Sequence, residues 1–250
     1  MICRLFTSLL NVLYPPTCII CKTPCFNAHL LCGKCWSNIT FITRAYCEKC
    51  GTSFLSNDHI CLCTDECCVY ENHVYHSTRS IVEYNSVAKD LIKGFKFHAK
   101  FEIMKLFRCW FNSVLKEYDY RDVDYIVPIP LYKKKLKKRG YNQTAILAKN
   151  ISRIIKKKYH SKLLLKVKDT ANQSDLKKEA RERNLINAFD VYHENAHILK
   201  NKKILLIDDV ITTGTTANEC SKTLIKNGAD EVKVFSLARR LYSTPNKDEI

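Results

Sequence analysis

The chain has 250 residues, 46% of them hydrophobic, and a formal net charge of +16. That length and apolar content fit one ordinary domain with a small appended module and exclude a wholly disordered chain. The charge is regional: residues 121–203 carry 22 Lys and Arg against 8 Asp and Glu, a net +14, which predicts an anionic partner, either the phosphates of a small substrate or a nucleic-acid backbone.

In chain order, the opening MICRLFTSLLNVLYPP reads as an amphipathic helix, with Leu5, Leu9, Val12 and Leu13 on one face and Pro15 and Pro16 ending it. Thr7, Ser8 and Asn11 break its apolar run and no small-residue cleavage site follows, so it does not read as a secretory signal. No run approaches the roughly 18 apolar residues of a membrane span. The expected compartment is therefore the cytoplasm, where thiols stay reduced and clustered cysteines mean metal.

Of 14 cysteines, 12 lie in the first 68 residues, and only Cys109 and Cys220 come later. Cys18-x2-Cys21 and Cys32-x2-Cys35 form two knuckles whose separation lets four thiolates converge on one zinc ion. Four thiolates leave no open coordination position, so this zinc is expected to be structural, and its binding to supply much of the small module's folding free energy. A third knuckle, Cys47-x2-Cys50 followed by Gly51, opens a second ribbon with an irregular partner: Cys61, Cys63, Cys67 and Cys68 stand where one further CxxC is expected. Either a second zinc uses a displaced pair, Cys61 and Cys63 being the first candidates, or that half has decayed. The module is assigned to residues 1–75 and the larger domain to 76–250.

Beyond the cysteines, apolar strands alternate with amphipathic helices, the pattern of a mainly parallel sheet flanked by helices. Strands are expected at 79–84, 125–130 and 163–167, helices at 86–97, 100–118 and 142–159, and a basic loop at 133–139. The last unit runs from a strand at 203–208 through a tight turn into a helix closed by Gly228 and on to a final strand.

Residues 204–216, ILLIDDVITTGTT, carry the chemistry. Ile204 to Ile207 form a strand buried on both faces, which puts Asp208 and Asp209 near its carboxyl end, where open α/β sheets bind ligands. The following turn offers hydroxyls from Thr212, Thr213, Thr215 and Thr216, Gly214 for close backbone approach, and the free N–H groups of a helix start. That combination makes a phosphate cup, and a carboxylate pair beside it suits a sugar phosphate. A plain helix cap needs one Asp or Thr, not six such residues together.

ILLIDDVITTGTT resembles the signature of type I phosphoribosyltransferases, and the chain as a whole resembles the ComF competence family, which joins a zinc ribbon to such a domain. The resemblance rests on YPPTCIIC, LCGKCW, IVPIPLYKKKLKKRGYNQ at 126–143, NQSDLKKEARERNLINAF at 172–189 and the signature itself. It implies that Asp208 and Asp209 hold the ribose hydroxyls of phosphoribosyl pyrophosphate and that Thr212 to Thr216 hold its 5'-phosphate. It also implies that Lys133 to Arg139 lie near the pyrophosphate, with magnesium, and that 172–184 is a mobile cover carrying Arg181 and Arg183.

Three functions follow from the resemblance and the residues. The first is handling of incoming single-stranded DNA in natural competence, alongside other competence proteins, with KKKLKKR tracking phosphates and Tyr132 and Tyr141 stacking bases. The second is phosphoribosyl transfer to a nucleobase or amine acceptor that nothing in residues 1–80 names. The third is a sensor whose loop order follows phosphoribosyl pyrophosphate binding.

Overall fold

The computed structural model describes residues 15–25, 30–43, 46–53, 73–117, 120–170 and 185–241. The expected amino-terminal helix lies outside these residues, as do Cys61, Cys63, Cys67, Cys68, Arg181 and Arg183.

A short helix α1 (Gly33–Ser37) belongs to the cysteine module. The larger part follows in the order β1 (Ser77–Glu83), α2 (Ser86–Phe97), α3 (Ile103–Glu117), β2 (Tyr125–Pro128), α4 (Lys133–Arg139), α5 (Gln143–Ile155), β3 (Lys158–Tyr159), β4 (Leu164–Lys166) and β5 (Phe189–Val191). A 3-10 turn at His193–Leu199, β6 (Lys202–Ile211), α6 (Thr215–Lys226) and β7 (Ala229–Arg239) complete it. The five strands ordered β1-β7-β6-β2-β3 make one sheet in which every neighbouring pair is parallel, while β4 and β5 form a separate antiparallel pair.

The central strand β6 feeds both faces of this sheet. Leu205 and Ile207 join a core with Leu91 and Phe95 of α2, Phe107 and Phe111 of α3, and Leu147 and Ile151 of α5. Ile204 and Leu206 join a second core with Leu224 of α6, Leu164 of β4 and Val191 of β5. All four β6 residues have no exposed surface, as a strand covered on both sides requires. That alternation sets which way each following side chain points.

The cysteine module shares the first core through Ile19, Leu31 and Ile39. It also closes the open edge of β1: Ile42 N–H donates to the Ile81 carbonyl at 2.9 Å and Glu83 N–H to the Thr40 carbonyl at 2.9 Å, making an antiparallel bridge between Phe41 and Val82. A paired edge is protected from pairing with another chain.

Two expectations need correction. The helix expected to reach residue 159 ends at Ile155, where Lys156 turns left-handed (φ 55°) and Lys158–Tyr159 pair with Tyr125 and Ile126 as β3. The helical pattern continued, but the sheet offered an unpaired β2 edge and took those residues. The basic loop at 133–139 is instead the helix α4, consistent with the helix propensity of Lys, Leu and Arg. Gly140 ends it with φ 80°, its N–H donating to the Leu136 carbonyl at 2.8 Å.

Candidate functional site

The first and third knuckles close in the same way. Cys18 N–H donates to the Thr23 carbonyl and Lys22 N–H to the Cys18 carbonyl, and in the third knuckle Cys47 N–H donates to the Thr52 carbonyl and Gly51 N–H to the Cys47 carbonyl. Lys22 and Gly51 take left-handed conformations, φ 64° and 75°. The Sγ atoms of Cys18, Cys21, Cys32 and Cys35 all lie within 4.8 Å of one another, with Cys21 and Cys32 at 3.5 Å. Tetrahedral zinc at about 2.3 Å from each sulphur separates sulphurs by about 3.8 Å, so the four fit that ion. They form no disulfide, and Cys32 also caps α1 by accepting from Cys35 N–H. Cys47 and Cys50 form the next knuckle, while Cys61 and Cys63 fall outside the described residues.

In the larger part, Asp208 and Asp209 sit on β6 two to three residues before its end. Because successive strand side chains point to opposite faces, the two acids meet different neighbours. Asp209 is 4% exposed and faces α2 and α5: Lys96 Nζ lies 2.9 Å from Oδ2, and Gln143 Nε2 donates to the same oxygen at 2.9 Å. Gln143 in turn accepts from the Arg139 guanidinium. Burial opposes ionisation of Asp209, yet the Lys96 ammonium and the Gln143 amide hold its pKa below the ordinary carboxylate value.

Asp208 projects to the other face, toward Cys220 of α6 and Lys166 of β4. Its Oδ1 accepts the N–H of Asp209 at 2.8 Å, and among the described residues no Lys or Arg forms an ion pair with it. Burial and the neighbouring Asp209 charge push its pKa up to about 7. The Lys96 charge opposes that rise without forming an ion pair with Asp208, and Lys166 is itself driven down to about 8 by burial and Lys135.

The turn after β6 places Gly214 in the left-handed region (φ 82°) as the residue before α6. Thr213 and Thr215 hydroxyls lie 2.7 Å apart and Thr213 Oγ1 accepts the Thr215 N–H at 3.4 Å, so part of the cup is already occupied by its own side chains. Thr212 and Thr216 complete the partly exposed turn. Beneath it lies a contact the sequence did not announce. A Cβ built on Gly214 would fall 2.7 Å from the Tyr75 hydroxyl, which is 2.8 Å from His73 Nδ1. Val74 N–H donates to Asn218 Oδ1 at 2.8 Å. The segment leaving the cysteine module is thus the floor of the turn, and burial with the nearby Arg239 and Lys49 charges drives the His73 pKa down to about 4.

The candidate cations separate. Arg139 reaches the acid site through Gln143, whereas Lys133 is exposed on α4. Tyr141, expected to stack bases, turns inward and donates its hydroxyl to the Phe95 carbonyl. Lys96 and Gln143 were missed as site residues. Gln143 lay within the RGYNQ motif without an assigned role, and nothing local marks Lys96.

An all-parallel sheet with an acid pair and a hydroxyl turn at the end of its central strand defines a phosphoribosyltransferase-type domain, here carrying a cysteine-rich module. Family models agree: a double zinc ribbon domain matches residues 9–68 and a phosphoribosyl transferase domain residues 141–250. Competence protein F of Haemophilus influenzae is 31% identical over 234 residues, covering 89% of this chain and 96% of that protein. The DNA utilization protein YhgH of Escherichia coli is 29% identical over 234 residues, 91% of this chain and 98% of that protein. A solved hypoxanthine phosphoribosyltransferase of Staphylococcus aureus aligns over 64% of this chain and 71% of its own, at 14% identity and a TM-score of 0.31. The chain belongs to the ComF competence family. Ribbon match and four-cysteine cluster together support a structural zinc ion. No helix among the described residues is long and apolar enough to cross a membrane.

Proposed function

We propose that the chain binds phosphoribosyl pyrophosphate with magnesium through Asp208, Asp209 and the turn Thr212–Thr216, and that it handles incoming single-stranded DNA in the cytoplasm during natural competence. The observation that carries the first half is the unequal charge of the two acids. Asp209 is already neutralised by Lys96 at 2.9 Å, while Asp208 has no such partner among the described residues and stands open to accept from ribose hydroxyls or to meet a divalent cation. Magnesium takes most of its ligands from pyrophosphate oxygens and needs few from protein. Lys133, Arg139, Arg181 and Arg183 are proposed to balance the pyrophosphate charge.

Bond cleavage at the anomeric carbon builds positive charge on the ribose and negative charge on pyrophosphate, so the residues that bind the ligand also favour its departure. Phosphoribosyl transfer therefore remains one outcome of the test. The DNA half is supported by the names of the relatives and by α4, where Lys133, Lys137 and Lys138 are exposed and meet no carboxylate among the described residues. On this proposal the zinc module spans residues 1–75 and the phosphoribosyl-pyrophosphate-binding domain residues 76–250.

Calorimetry with phosphoribosyl pyrophosphate and magnesium is the test. Asp208→Asn combined with Asp209→Asn is expected to weaken binding about a hundredfold or more, through loss of the charge-assisted contact from Asp208 and of the Asp209 anchor that holds Lys96 and Gln143, with the cooperative thermal transition retained. Unchanged affinity sinks the assignment. Pyrophosphate release on adding candidate acceptors identifies a transferase, and binding without release identifies a sensor. Reversing Lys133, Lys137 and Lys138 to Glu is expected to weaken single-strand binding and flatten its salt dependence, since each lost phosphate contact removes about 0.7 from the slope. A slope that does not move excludes α4 as the DNA surface.

A further inference from the structure

We propose that Phe97 and Phe101, at the corner between α2 and α3, form a base-stacking platform for single-stranded nucleic acid beside the basic helix α4. The inference rests on the DNA half of the proposed function and names where the bases, as opposed to the phosphates, are gripped.

Both rings are set outward, Phe97 being 60% and Phe101 47% exposed. Their backbone is held tightly. His98 and Lys100 N–H groups both donate to the Gly94 carbonyl, at 3.1 and 3.3 Å, and Phe101 N–H donates to Ala99 at 2.8 Å. Ala99 is held left-handed at φ 49°, a conformation that costs a non-glycine residue about 1 kcal/mol. Gly94 permits the close approach, since a Cβ there would meet Ile103 Cδ1 and Lys100 Cδ at 3.2 Å. Two large apolar rings kept in water by a fixed corner are the arrangement expected of a contact surface, because a merely tolerated phenylalanine gains nothing from such constraint.

The surroundings select the occupant. The Arg139 guanidinium, at the carboxyl end of α4, lies over the Phe97 ring at 4.9 Å from its centroid. Tyr141 packs edge to face on Phe101 at 5.1 Å and is fixed by its hydroxyl on Phe95, so it orients the platform and does not itself stack on a base. Leu136, three residues before Arg139 and so on the same side of α4, is 40% exposed. Lys133, Lys137 and Lys138 are exposed on the same helix, whereas Lys134 is paired with Asp169 at 3.3 Å and Lys135 is bonded to the Thr170 carbonyl at 2.8 Å. Half-exposed aromatic rings, one of them already stacked under a guanidinium, next to cations without carboxylate partners match a chain of bases on a phosphate backbone. An apolar peptide or lipid would use the rings and leave the lysines idle.

The experiment compares a labelled oligodeoxythymidine with an abasic oligomer of equal length, using the full zinc-loaded chain and fluorescence anisotropy across a salt series. Phe97→Ala with Phe101→Ala is expected to weaken oligodeoxythymidine binding about tenfold or more. Abasic binding and the salt slope stay as in the unmodified protein, because no phosphate contact is lost. Phe97→Tyr with Phe101→Tyr retains affinity. Should the alanine pair lose its thermal transition, the leucine pair, which keeps apolar volume without a π face, carries the same expectation. Equal affinity for oligodeoxythymidine in the alanine pair overturns the platform while leaving DNA handling in place, and so does an equal loss on both oligomers. An unmodified protein that binds neither oligomer overturns both. Loss confined to binding of a free nucleobase also overturns the platform and assigns the rings to a transferase acceptor.

Discussion

On β6 two consecutive carboxylates live in opposite circumstances. Asp209 meets the sheet face covered by α2 and α5, where Lys96 and Gln143 converge on it. Asp208 meets the face covered by α6 and β4, where burial and the adjacent charge raise its pKa to about 7. The sequence writes them identically, but strand geometry makes one a latched, neutralised group and the other an unspent one. A strand end can therefore anchor itself with one acid and present the next to a ligand, with no change of residue type. The Lys96 contact also ties the carboxyl end of α2 to the site, so the acid that binds least freely does most to hold the site's walls.

The largest way to break this contrast is to remove the latched acid. Asp209→Ala leaves Lys96, whose side chain is only 27% exposed, without its anion and Gln143 without its acceptor. The expected loss is about 2–4 kcal/mol in urea unfolding, somewhat below a fully buried pair because Lys96 retains some solvent. Adding Lys96→Met to Asp209→Leu should return much of it, since replacing both charges removes the stranded ion. If Asp209→Ala unfolds like the unmodified protein, the pair is not a latch and the two acids are equivalent after all.

How far the sequence reveals such a site depends on how far apart its parts lie in the chain. Cys18, Cys21, Cys32 and Cys35 fall within one short stretch, so their spacing already implies convergence, and their Sγ atoms lie within 4.8 Å. The strand Ile204 to Ile207 and the Gly214 turn are equally local, and their pattern read correctly. Lys96 reaches Asp209 across 113 residues and Gln143 across 66. Their side chains resemble the other polar residues of amphipathic helices, and only the sheet order brings them to one carboxylate. The floor formed by His73 and Tyr75 was hidden for the same reason. Lys158 and Tyr159 failed differently: local propensity favoured helix, and a tertiary pairing overrode it. Continuity of α4 was missed because a run of lysines looks like a solvated loop until Gly140 is recognised as its terminator.

The smaller effect sharpens the contrast from the side of the unspent acid. Unfolded, Asp208 titrates near 3.9, whereas in the fold burial and Asp209 hold it up to about 7. Between those values the unfolded chain has released the proton that the folded chain keeps, so this group makes stability fall as pH rises, by at most about 1.4 kcal/mol per pH unit. Above about 7 both states are ionised and the slope ends. Asp209, with its depressed pKa, contributes stability above the unfolded carboxylate value and loses it only in acid below that value, so it is silent from pH 5 to 8. His73, driven down to about 4, acts with the opposite sign below its unfolded value near 6.5, which is why the difference between two proteins is the useful quantity. Asp208→Asn keeps the acceptor for the Asp209 N–H and removes the charge. Its stability relative to the unmodified chain should rise by up to about 2–3 kcal/mol between pH 5 and pH 8, most of it below pH 7, in paired urea denaturations of the ligand-free protein. A difference that does not grow with pH means that Asp208 already has its counter-charge in the folded chain, and then both faces of the strand are latched and neither acid is left over for a sugar.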